Sequence, residues 1–228
     1  LLDHFDIKKP MISDFEHNRR EKGEVIVGRI LAGETCALVT DAGMPAVSDP
    51  GEDLVRLCHE SGISVQSVPG PTAFATAVAL SGMSVGRFTF EGFLSMNKVS
   101  RREHLESIKD EKRTMVFYEA PHKLSATLKD LYETLGNREL AIEREITKIH
   151  EETIIGYPAE LMNITPPRGE IVIVVAPRPE HKMTDDEISQ IVNDIAATSM
   201  KSAAADLALR AGISKKEAYK RLLETGNK

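Results

Sequence analysis

The sequence contains no tryptophan, and aromatic residues make up only 5% of its 228 residues. Its two cysteines, Cys36 and Cys58, lack CxxC spacing and sit among apolar residues, which favours buried reduced thiols over a disulfide framework. No apolar run approaches the roughly 18 residues that a membrane span requires. The composition therefore argues against a disulfide-rich secreted domain and a transmembrane protein, and it is typical of a globular protein.

The two ends of the chain differ in character. The first ten residues, LLDHFDIKKP, lack the basic and then apolar pattern of a signal peptide, so we expect a cytoplasmic location. Because the sequence begins with Leu rather than Met, we also expect a preceding N-terminal piece. The net charge is −6, yet residues 201–228 carry seven Lys or Arg against three Asp or Glu. An acidic body with a basic tail predicts a negatively charged partner at one end only.

Short apolar runs alternate with helical patterns along most of the chain. Strands are predicted at 35–40, 114–119 and 169–176, and the stretch 63–71 is predicted as a strand followed by a break. Extended structure is predicted at 139–152, and helices at 51–62, 72–82, 100–112, 120–136 and 159–163. Such alternation predicts a parallel sheet in an α/β fold. The glycine-rich stretch 81–98 interrupts the rhythm, so we predict an N-terminal α/β domain at 1–82 and a second α/β domain at 83–177.

A helical domain is predicted at 184–228, after the linker 177–183. Within it, a helix, the turn AGIS and a basic helix capped by Ser214 form the outline of a helix-turn-helix. The same pattern also fits a plain three-helix appendage that packs on the body or on a second subunit. Both interpretations remain open from the sequence alone.

The loop LVTDAGMPAVSDPG, residues 38–51, is long for a simple turn and rich in small residues. A loop at the carboxyl end of a parallel strand lies on the ligand edge of an α/β sheet, where small side chains leave main-chain groups uncovered. It lacks the GxGxxG and GxxxxGK[ST] phosphate-binding patterns, and Asp41 and Asp49 would repel phosphate. The alternative is a rigid strand-to-helix turn in which Asp49 caps the next helix.

Six stretches occur in a telling order: TDAGMPAVSDPG, VPGPTAFATAVALSG, FTFEGFL, VFYEAPHKL, EREITKIHEE and GEIVIVV. Together they resemble the tetrapyrrole methylase superfamily and, within it, the ribosomal RNA small subunit methyltransferase I family. The resemblance implies a two-domain tetrapyrrole-methylase-like (class III) fold with a small C-terminal helical domain. It also implies S-adenosylmethionine bound between the two α/β domains, a homodimer, and 2′-O-methylation of a cytidine ribose in the decoding region of 16S rRNA.

The resemblance assigns donor contacts residue by residue. They are expected at Ala42, Gly43, Met44, Val47, Thr72, Ala73, Glu119 and Glu145. The family's opening strand and its proline-glycine loop have no counterpart here, so we expect part of the donor pocket to be missing from this sequence. Lys123 stands where the family has Arg, which puts in doubt any role there that needs a bidentate guanidinium.

A ribose hydroxyl needs a nearby base when it attacks the methyl group, and Asp41, Glu145 and Lys148 are the candidates. If EREITKIHEE is extended, alternation puts Glu143, Glu145, Thr147 and Glu151 on one face and Arg144, Lys148 and His150 on the other. An internal ladder of ion pairs is the alternative to a catalytic face. No His or Cys cluster has metal-ligand spacing, so no metal is expected.

Binding of 16S rRNA in the small ribosomal subunit is expected to rest on basic surface. The candidates are Lys98, Arg101, Arg102, Arg210, Lys215, Lys216, Lys220 and Arg221. Two other functions stay open from the sequence: a tetrapyrrole or diphthine methylase of the same fold, and a non-enzymatic RNA-binding protein.

Overall fold

A computed structural model of the chain describes residues 2–13, 19–165, 168–179, 185–195, 199–211 and 213–225. The chain forms two compact units, Leu1–Arg178 and Pro179–Lys228. The helices of the first unit are α1 (Arg19–Leu31), α2 (Glu52–Glu60), α3 (Ala73–Leu80), α4 (Lys98–Ser107), α5 (Leu124–Leu135) and α6 (Pro158–Leu161). Its strands are β1 (Phe88–Phe93), β2 (Thr114–Glu119), β3 (Leu140–Arg144), β4 (Glu152–Gly156) and β5 (Ile171–Val175).

The five strands form one sheet in the order β1-β2-β5-β3-β4. Only β1 and β2 pair in parallel; β5 runs antiparallel to β2 and β3, and β4 antiparallel to β3. The predicted parallel sheet is therefore wrong for most of these strands. The cause is β5, which inserts between β2 and β3 and pairs with both, as Ile173 does with Phe117 and Ile142.

The sheet has apolar side chains on both faces. One face carries Met115, Phe117, Ile142 and Ile173, which pack with α5 through side chains such as Leu128. The helix buries Leu124, Leu128, Leu131 and Leu135, at positions that share one face of an α-helix. The other face carries residues with the alternate parity, Val116, Ala141, Val172 and Val174, which pack with Ala77 and Val78 of α3.

The N-terminal part of this unit departs from the prediction. The segments 35–40 and 63–71 were predicted as strands, but neither belongs to the sheet among the described residues. Without a neighbouring strand their β-forming side chains stay in solvent, as Val39 (54% exposed) and Val68 (87% exposed) do. Helix α1 was not predicted; it packs on α2, where Ile26 and Val27 meet Leu54. Cys58 is buried as expected, whereas Cys36 is exposed because its segment has no partner strand.

Two further predictions fail within the sheet. Residues 139–152 are not one extended segment: β3 ends at Arg144, and a turn intervenes in which Glu145 (φ +50°) and Thr147 (φ +71°) adopt positive φ. The predicted division of the charged residues into two faces is therefore wrong beyond Arg144. The stretch 81–98, predicted as an interruption, contains strand β1.

The second unit contains α7 (Asp185–Asp194), α8 (Met200–Ala211) and α9 (Lys215–Thr225). Ile188, Leu207, Ala218 and Leu222 meet in one apolar cluster, so all three helices contribute to a common core. Ser214 caps α9 as predicted, since its Oγ accepts a hydrogen bond from the Glu217 amide at 3.2 Å. Gly212 of the predicted turn lies outside the described residues.

Candidate functional site

The loop at residues 38–51 and the segment before α3 meet through their main chains. The amide of Met44 donates a hydrogen bond to the carbonyl oxygen of Pro71 at 3.1 Å. The Met44 sulfur also lies 3.6 Å from the place that a Cβ on Gly70 would occupy. Two stretches of the expected donor pocket, Met44 and its neighbours on one side and Thr72 on the other, are thus brought together.

The conformation of this loop depends on glycine at two places. Gly43 has φ +75°, and a Cβ there would lie 3.2 Å from the Pro71 carbonyl oxygen. Gly51 has φ +140°, and a Cβ there would lie 2.5 Å from a methyl carbon of Leu38. Both positions combine a left-handed backbone with close packing, so a side chain would be resisted twice over. Ala46 also adopts positive φ, at +60°, which marks the loop as strained.

The main chain of the loop is only partly uncovered. The Thr40 hydroxyl lies 3.3 Å from the Ala42 carbonyl oxygen and 3.2 Å from that of Gly43, and the Met44 amide is bonded to Pro71. Among the described residues the amides of Ala42 and Gly43 have no hydrogen-bond acceptor. Ala42, Gly43 and Val47 are exposed, as a ligand-binding loop requires. The expectation of a bare main chain therefore holds for the amides of Ala42 and Gly43, but not for their carbonyl oxygens or for the Met44 amide.

Asp41 is exposed in the same loop, directly before Ala42. The alternative role considered for Asp49, as a helix cap, is wrong: Gly51 occupies the N-cap of α2, and no side chain bonds there.

The beginning of α3 is held by a residue that the sequence analysis passed over. Thr72 is the N-cap of α3 but makes no side-chain capping bond. Instead the Phe74 amide donates a hydrogen bond to the Tyr118 hydroxyl at 3.1 Å. Burial raises the pKa of Tyr118, and the nearby Asp49 carboxylate acts in the same direction. The alternation of β2 would have placed Tyr118 on the face opposite Phe117, but it could not have paired that face with α3.

Glu119 is buried within a network of side chains. It is 5% exposed, and its Oε1 accepts a hydrogen bond from the Ala120 amide at 2.8 Å. The Thr127 hydroxyl donates to its Oε2, and the Arg101 guanidinium lies 3.9 Å from the same oxygen. Arg101 also bonds Thr127 at 2.9 Å and Asp130 at 2.5 Å. The carboxylate expected to contact the donor is therefore engaged inside the protein, together with a guanidinium expected to contact RNA.

Glu145 and Lys148 form a salt bridge with each other in the turn between β3 and β4. Lys148 Nζ lies 2.9 Å from Glu145 Oε1 and 2.9 Å from a carboxylate oxygen of Glu170. The hydrogen bond from Lys148, followed by that from the Glu170 amide, lowers the pKa of Glu145. The bonds to Glu145 and then to Glu170 raise the pKa of Lys148. The first shift makes Glu145 a weaker base, and the second keeps Lys148 protonated, so neither group is well suited to accept a proton near neutral pH.

Glu143 is a buried carboxyl that the sequence analysis named only as part of a charged face. It is fully buried, and its Oε2 accepts a hydrogen bond from the Thr153 hydroxyl at 2.6 Å. Its Oε1 has no hydrogen-bond partner among the residues that the structure describes. Burial raises the pKa of this group, which favours its neutral form. Its sheet face is that of Ala141 and Val172, against which α3 packs.

Two of the basic candidates in the first unit share a surface. Lys98 and Arg102 are exposed on α4 and line a depression of about 520 Å³ together with Val99, Glu103 and Glu106. Phe93, Met96 and Val99, which the sequence analysis did not single out, are 61%, 82% and 65% exposed in the adjoining segment. Arg101 does not share this surface, because its guanidinium is turned into the Glu119 network.

The basic candidates of the second unit lie on α8 and α9. Three of them face acids on their own helix: Arg210 and Asp206 lie 3.8 Å apart, Lys220 and Glu224 3.9 Å, and Arg221 and Glu217 3.1 Å. Such exposed pairs contribute little to stability and leave the charges accessible. Lys215 and Lys216 are exposed in the first turn of α9.

The described residues contain neither a metal-binding cluster nor a membrane-spanning helix. No group of three or more His, Cys, Asp or Glu side chains in the described part of the chain is arranged to hold a metal ion. None of the described helices has the length and apolarity needed to cross a membrane.

A family model identifies the protein family of the chain. The model of Tetrapyrrole (Corrin/Porphyrin) Methylases matches residues 2–161. The chain belongs to this family. The family predicted from the sequence motifs is thereby confirmed.

Curated relatives named "Ribosomal RNA small subunit methyltransferase I" match most of the chain. The protein of Thermotoga maritima is 44% identical, over 77% of this chain and 80% of its own length. That of Pasteurella multocida is 37% identical, over 100% of this chain and 84% of its own length. That of Synechocystis sp. is 44% identical over 77% of this chain, and the match spans 64% of the relative.

Solved structures confirm the fold class. The methyltransferase CobJ has a TM-score of 0.56 and 20% identity, with 75% of each chain covered. The cobalt precorrin-4 methyltransferase CbiF has a TM-score of 0.54 and 16% identity, covering 76% of this chain and 78% of its own. Diphthine synthase has a TM-score of 0.54 and 12% identity, covering 77% of this chain and 72% of its own. At such identities the likeness concerns the fold alone.

Proposed function

We propose that this protein is an S-adenosylmethionine-dependent rRNA methyltransferase that methylates the 2′ oxygen of a cytidine ribose in the decoding region of 16S rRNA. The observation that carries the proposal is the set of relatives named ribosomal RNA small subunit methyltransferase I, 37–44% identical over 77–100% of this chain. The ribose position, the cytidine and the decoding region rest on the resemblance of the sequence motifs to that family.

The donor would be held by the loop 40–47 and the start of α3. S-adenosylmethionine is the methyl donor expected of this family, and it supplies a methyl group already activated by a positively charged sulfur. The amides of Ala42 and Gly43, which have no acceptor among the described residues, could donate hydrogen bonds to the oxygens and nitrogens of a nucleoside. Gly43 has no side chain to block such an approach. The Met44–Pro71 bond holds this loop against Thr72 and Ala73. Glu119 and Glu145 remain proposed contacts, although their carboxylates are already bonded within the protein.

Asp41 is the strongest of the three candidates for the general base. Methyl transfer requires the ribose oxygen, the methyl carbon and the sulfur to be nearly collinear, so most of the rate enhancement would come from positioning. Asp41 immediately precedes the two free amides, whereas Lys148 is held protonated by Glu145 and Glu170. A carboxylate at Asp41 would take up the hydroxyl proton as the oxygen attacks.

The RNA would bind through exposed cations on both units. Lys98 and Arg102 lie together on α4, and Lys215 and Lys216 lie at the start of α9. Phosphate contacts of this kind supply affinity without reading sequence, which suits a structured ribosomal target. Lys220, Arg210 and Arg221 remain proposed contacts despite their intrahelical acids. Arg101 is the weakest member of the set, because its side chain is only 12% exposed.

We propose that the protein acts in the cytoplasm as a homodimer on the small ribosomal subunit. The apolar side chains exposed at Phe93 and Met96 are compatible with a protein surface that another chain covers. Light scattering at micromolar concentration tests the oligomeric state, and a monomer would contradict that part of the proposal.

Methylation of purified small subunits tests the activity. Subunits from cells that lack the modification are incubated with the protein and S-adenosylmethionine, and the modified nucleotide is mapped by mass spectrometry. A methyl group on a cytidine ribose of the decoding region is the expected result. Methylation of a base, of another RNA region or only of a porphyrinogen would contradict the proposal, as would the absence of transfer when donor binding is normal.

A further inference from the structure

Tyr118 performs a task that an N-cap side chain usually performs. The first amides of a helix have no intrahelical acceptor, and an N-cap Thr commonly supplies one. Thr72 makes no such bond, whereas the Tyr118 hydroxyl accepts a hydrogen bond from the Phe74 amide at 3.1 Å. A residue of the central sheet thus satisfies the first turn of a helix that lies 44 positions away in the sequence.

The ring of Tyr118 is fixed by its aromatic neighbours. Phe90 and Phe93 of β1 meet it edge to face, with centroids 5.0 and 5.4 Å away. Phe90 in turn stacks on Phe74 at 4.7 Å. Aromatic pairs at these separations favour defined orientations. The hydroxyl therefore occupies one place relative to the sheet, and the beginning of α3 is tied to that place.

The tied segment carries two of the expected donor contacts. Thr72 and Ala73 are the N-cap and the first residue of α3, immediately before the amide that Tyr118 holds. Pro71, one residue earlier, accepts the bond from Met44 in the glycine-containing loop. The segment 71–74 is thus held at both ends: its Phe74 amide bonds the Tyr118 hydroxyl, and its Pro71 carbonyl oxygen bonds the loop at Met44.

We propose that Tyr118 is a positioning residue for the methyl donor: its hydroxyl fixes the start of α3 so that Thr72, Ala73 and the 40–47 loop are ordered before the donor binds. This inference rests on the proposed function. Without the hydroxyl, part of the binding free energy would be spent on ordering this segment, so donor affinity falls while the chemical step at saturating donor is unaffected.

The test compares Tyr118→Phe with Tyr132→Phe. Tyr132 is an exposed tyrosine of α5, which packs on the opposite face of the sheet from α3, so its substitution removes a hydroxyl from the other side of the sheet. For Tyr118→Phe we expect the Kd for S-adenosylmethionine to rise about fivefold by calorimetry, equivalent to one hydrogen bond of ~1 kcal/mol. Hydrogen exchange should accelerate at the Phe74 amide and stay unchanged at α5. Tyr132→Phe should match the wild type in both measurements.

The outcomes separate this inference from the function on which it rests. If the wild type binds S-adenosylmethionine and Tyr118→Phe binds it equally well, the positioning role is overturned and the proposed function stands. Unchanged exchange at Phe74 would overturn the hydrogen bond as the cause. A fall in kcat at saturating donor, with KM for the donor unchanged, would also overturn the positioning role. If the wild type binds no donor, the proposed function itself fails and takes this inference with it.

Discussion

Met44 and Pro71 are joined through main-chain atoms alone: the Met44 amide donates to the Pro71 carbonyl oxygen at 3.1 Å. The same oxygen would lie 3.2 Å from a Cβ on Gly43. The Pro71 carbonyl therefore holds the loop in place and also leaves little room for a side chain at position 43. This contact explains why the loop has glycine there, and it gives a direct way to disturb the proposed donor site without touching the sheet.

Gly43→Ala should weaken both donor binding and folding. Alanine at φ +75° is strained by about 1–2 kcal/mol, and its Cβ would press on the Pro71 oxygen and displace the loop. We expect the Kd for S-adenosylmethionine to rise about tenfold or more, equivalent to at least ~1.4 kcal/mol, by calorimetry. Urea unfolding should report a loss of about 1–2 kcal/mol.

Gly62→Ala is the matched control. Gly62 has φ +71°, close to that of Gly43, but a Cβ there meets no atom within 4 Å. It should lose a similar free energy of unfolding and bind the donor normally. Equal donor affinities in the two variants would mean that the close approach at Gly43 has no part in binding.

Arg101 and Arg102 are adjacent in sequence but should behave in opposite ways. Arg101→Met leaves the carboxylate of Glu119, 5% exposed, without its positive neighbour, so we expect a loss of about 3 kcal/mol in the free energy of unfolding. Arg102 is exposed on α4, and Arg102→Met should change stability by less than ~0.5 kcal/mol. Urea unfolding of the two variants checks this difference.

RNA binding should show the reverse pattern. Arg102→Met should lower the slope of log K against log salt concentration by about 1, the value for one lost phosphate contact. Arg101→Met, assayed under conditions where it is folded, should leave that slope unchanged. A stable Arg101→Met protein with weakened RNA binding would mean that Arg101 contacts RNA and that its interaction with Glu119 contributes little to stability.

Local sequence patterns correctly predicted those helices and strands whose own residues show which side chains are buried. The helical pattern of residues 120–136 predicted α5, and the apolar run IVIVV predicted β5. Local patterns could not predict which strands pair, because nothing in the β5 sequence shows that this strand lies antiparallel between β2 and β3. The segment 35–40 has the composition of a strand, but it pairs with no strand among the described residues, and composition alone does not reveal whether a partner strand is present.

The candidate site divides in the same way. The resemblance of the sequence motifs led to Gly43 and Thr72, and the structure brings their loops together through Pro71. Tyr118 was missed because its role depends on a contact between β2 and the start of α3, which no spacing rule encodes. The faces assigned around Glu145 were wrong because the alternation of a strand does not survive a turn with positive φ.

Glu143→Gln should stabilise the protein, and the stabilisation should increase with pH. Burial raises the pKa of Glu143 above its ordinary value of 4.5. As pH rises through 4.5 the unfolded state ionises freely, whereas the folded state keeps the proton, so the wild type loses stability until the folded pKa is passed. Glutamine has no such loss.

Urea unfolding of Glu143→Gln and wild type at several pH values measures this effect. We expect similar stabilities below pH ~4 and an advantage for the variant that widens as the pH rises towards ~8. Glu139→Gln, at an exposed glutamate just before β3, should follow the wild type throughout. A difference between Glu143→Gln and wild type that does not vary with pH would mean that folding does not raise the pKa of Glu143.

Charge reversal on α9 should separate RNA binding from donor binding. Lys215, Lys216 and Lys220 are exposed, and an acid in the first turn of a helix is favoured by its dipole, so the triple Lys→Glu variant should stay folded. We expect its RNA affinity to fall more than about tenfold and its salt slope to drop by about 2–3, with the Kd for S-adenosylmethionine unchanged. The control reverses Lys109, Lys112 and Lys129 of the first unit, which are also exposed and give the same change in net charge. Equal losses in the two triple variants would indicate that net charge, rather than the second unit, governs RNA binding, and a parallel loss of donor affinity would contradict the division of labour between the two units.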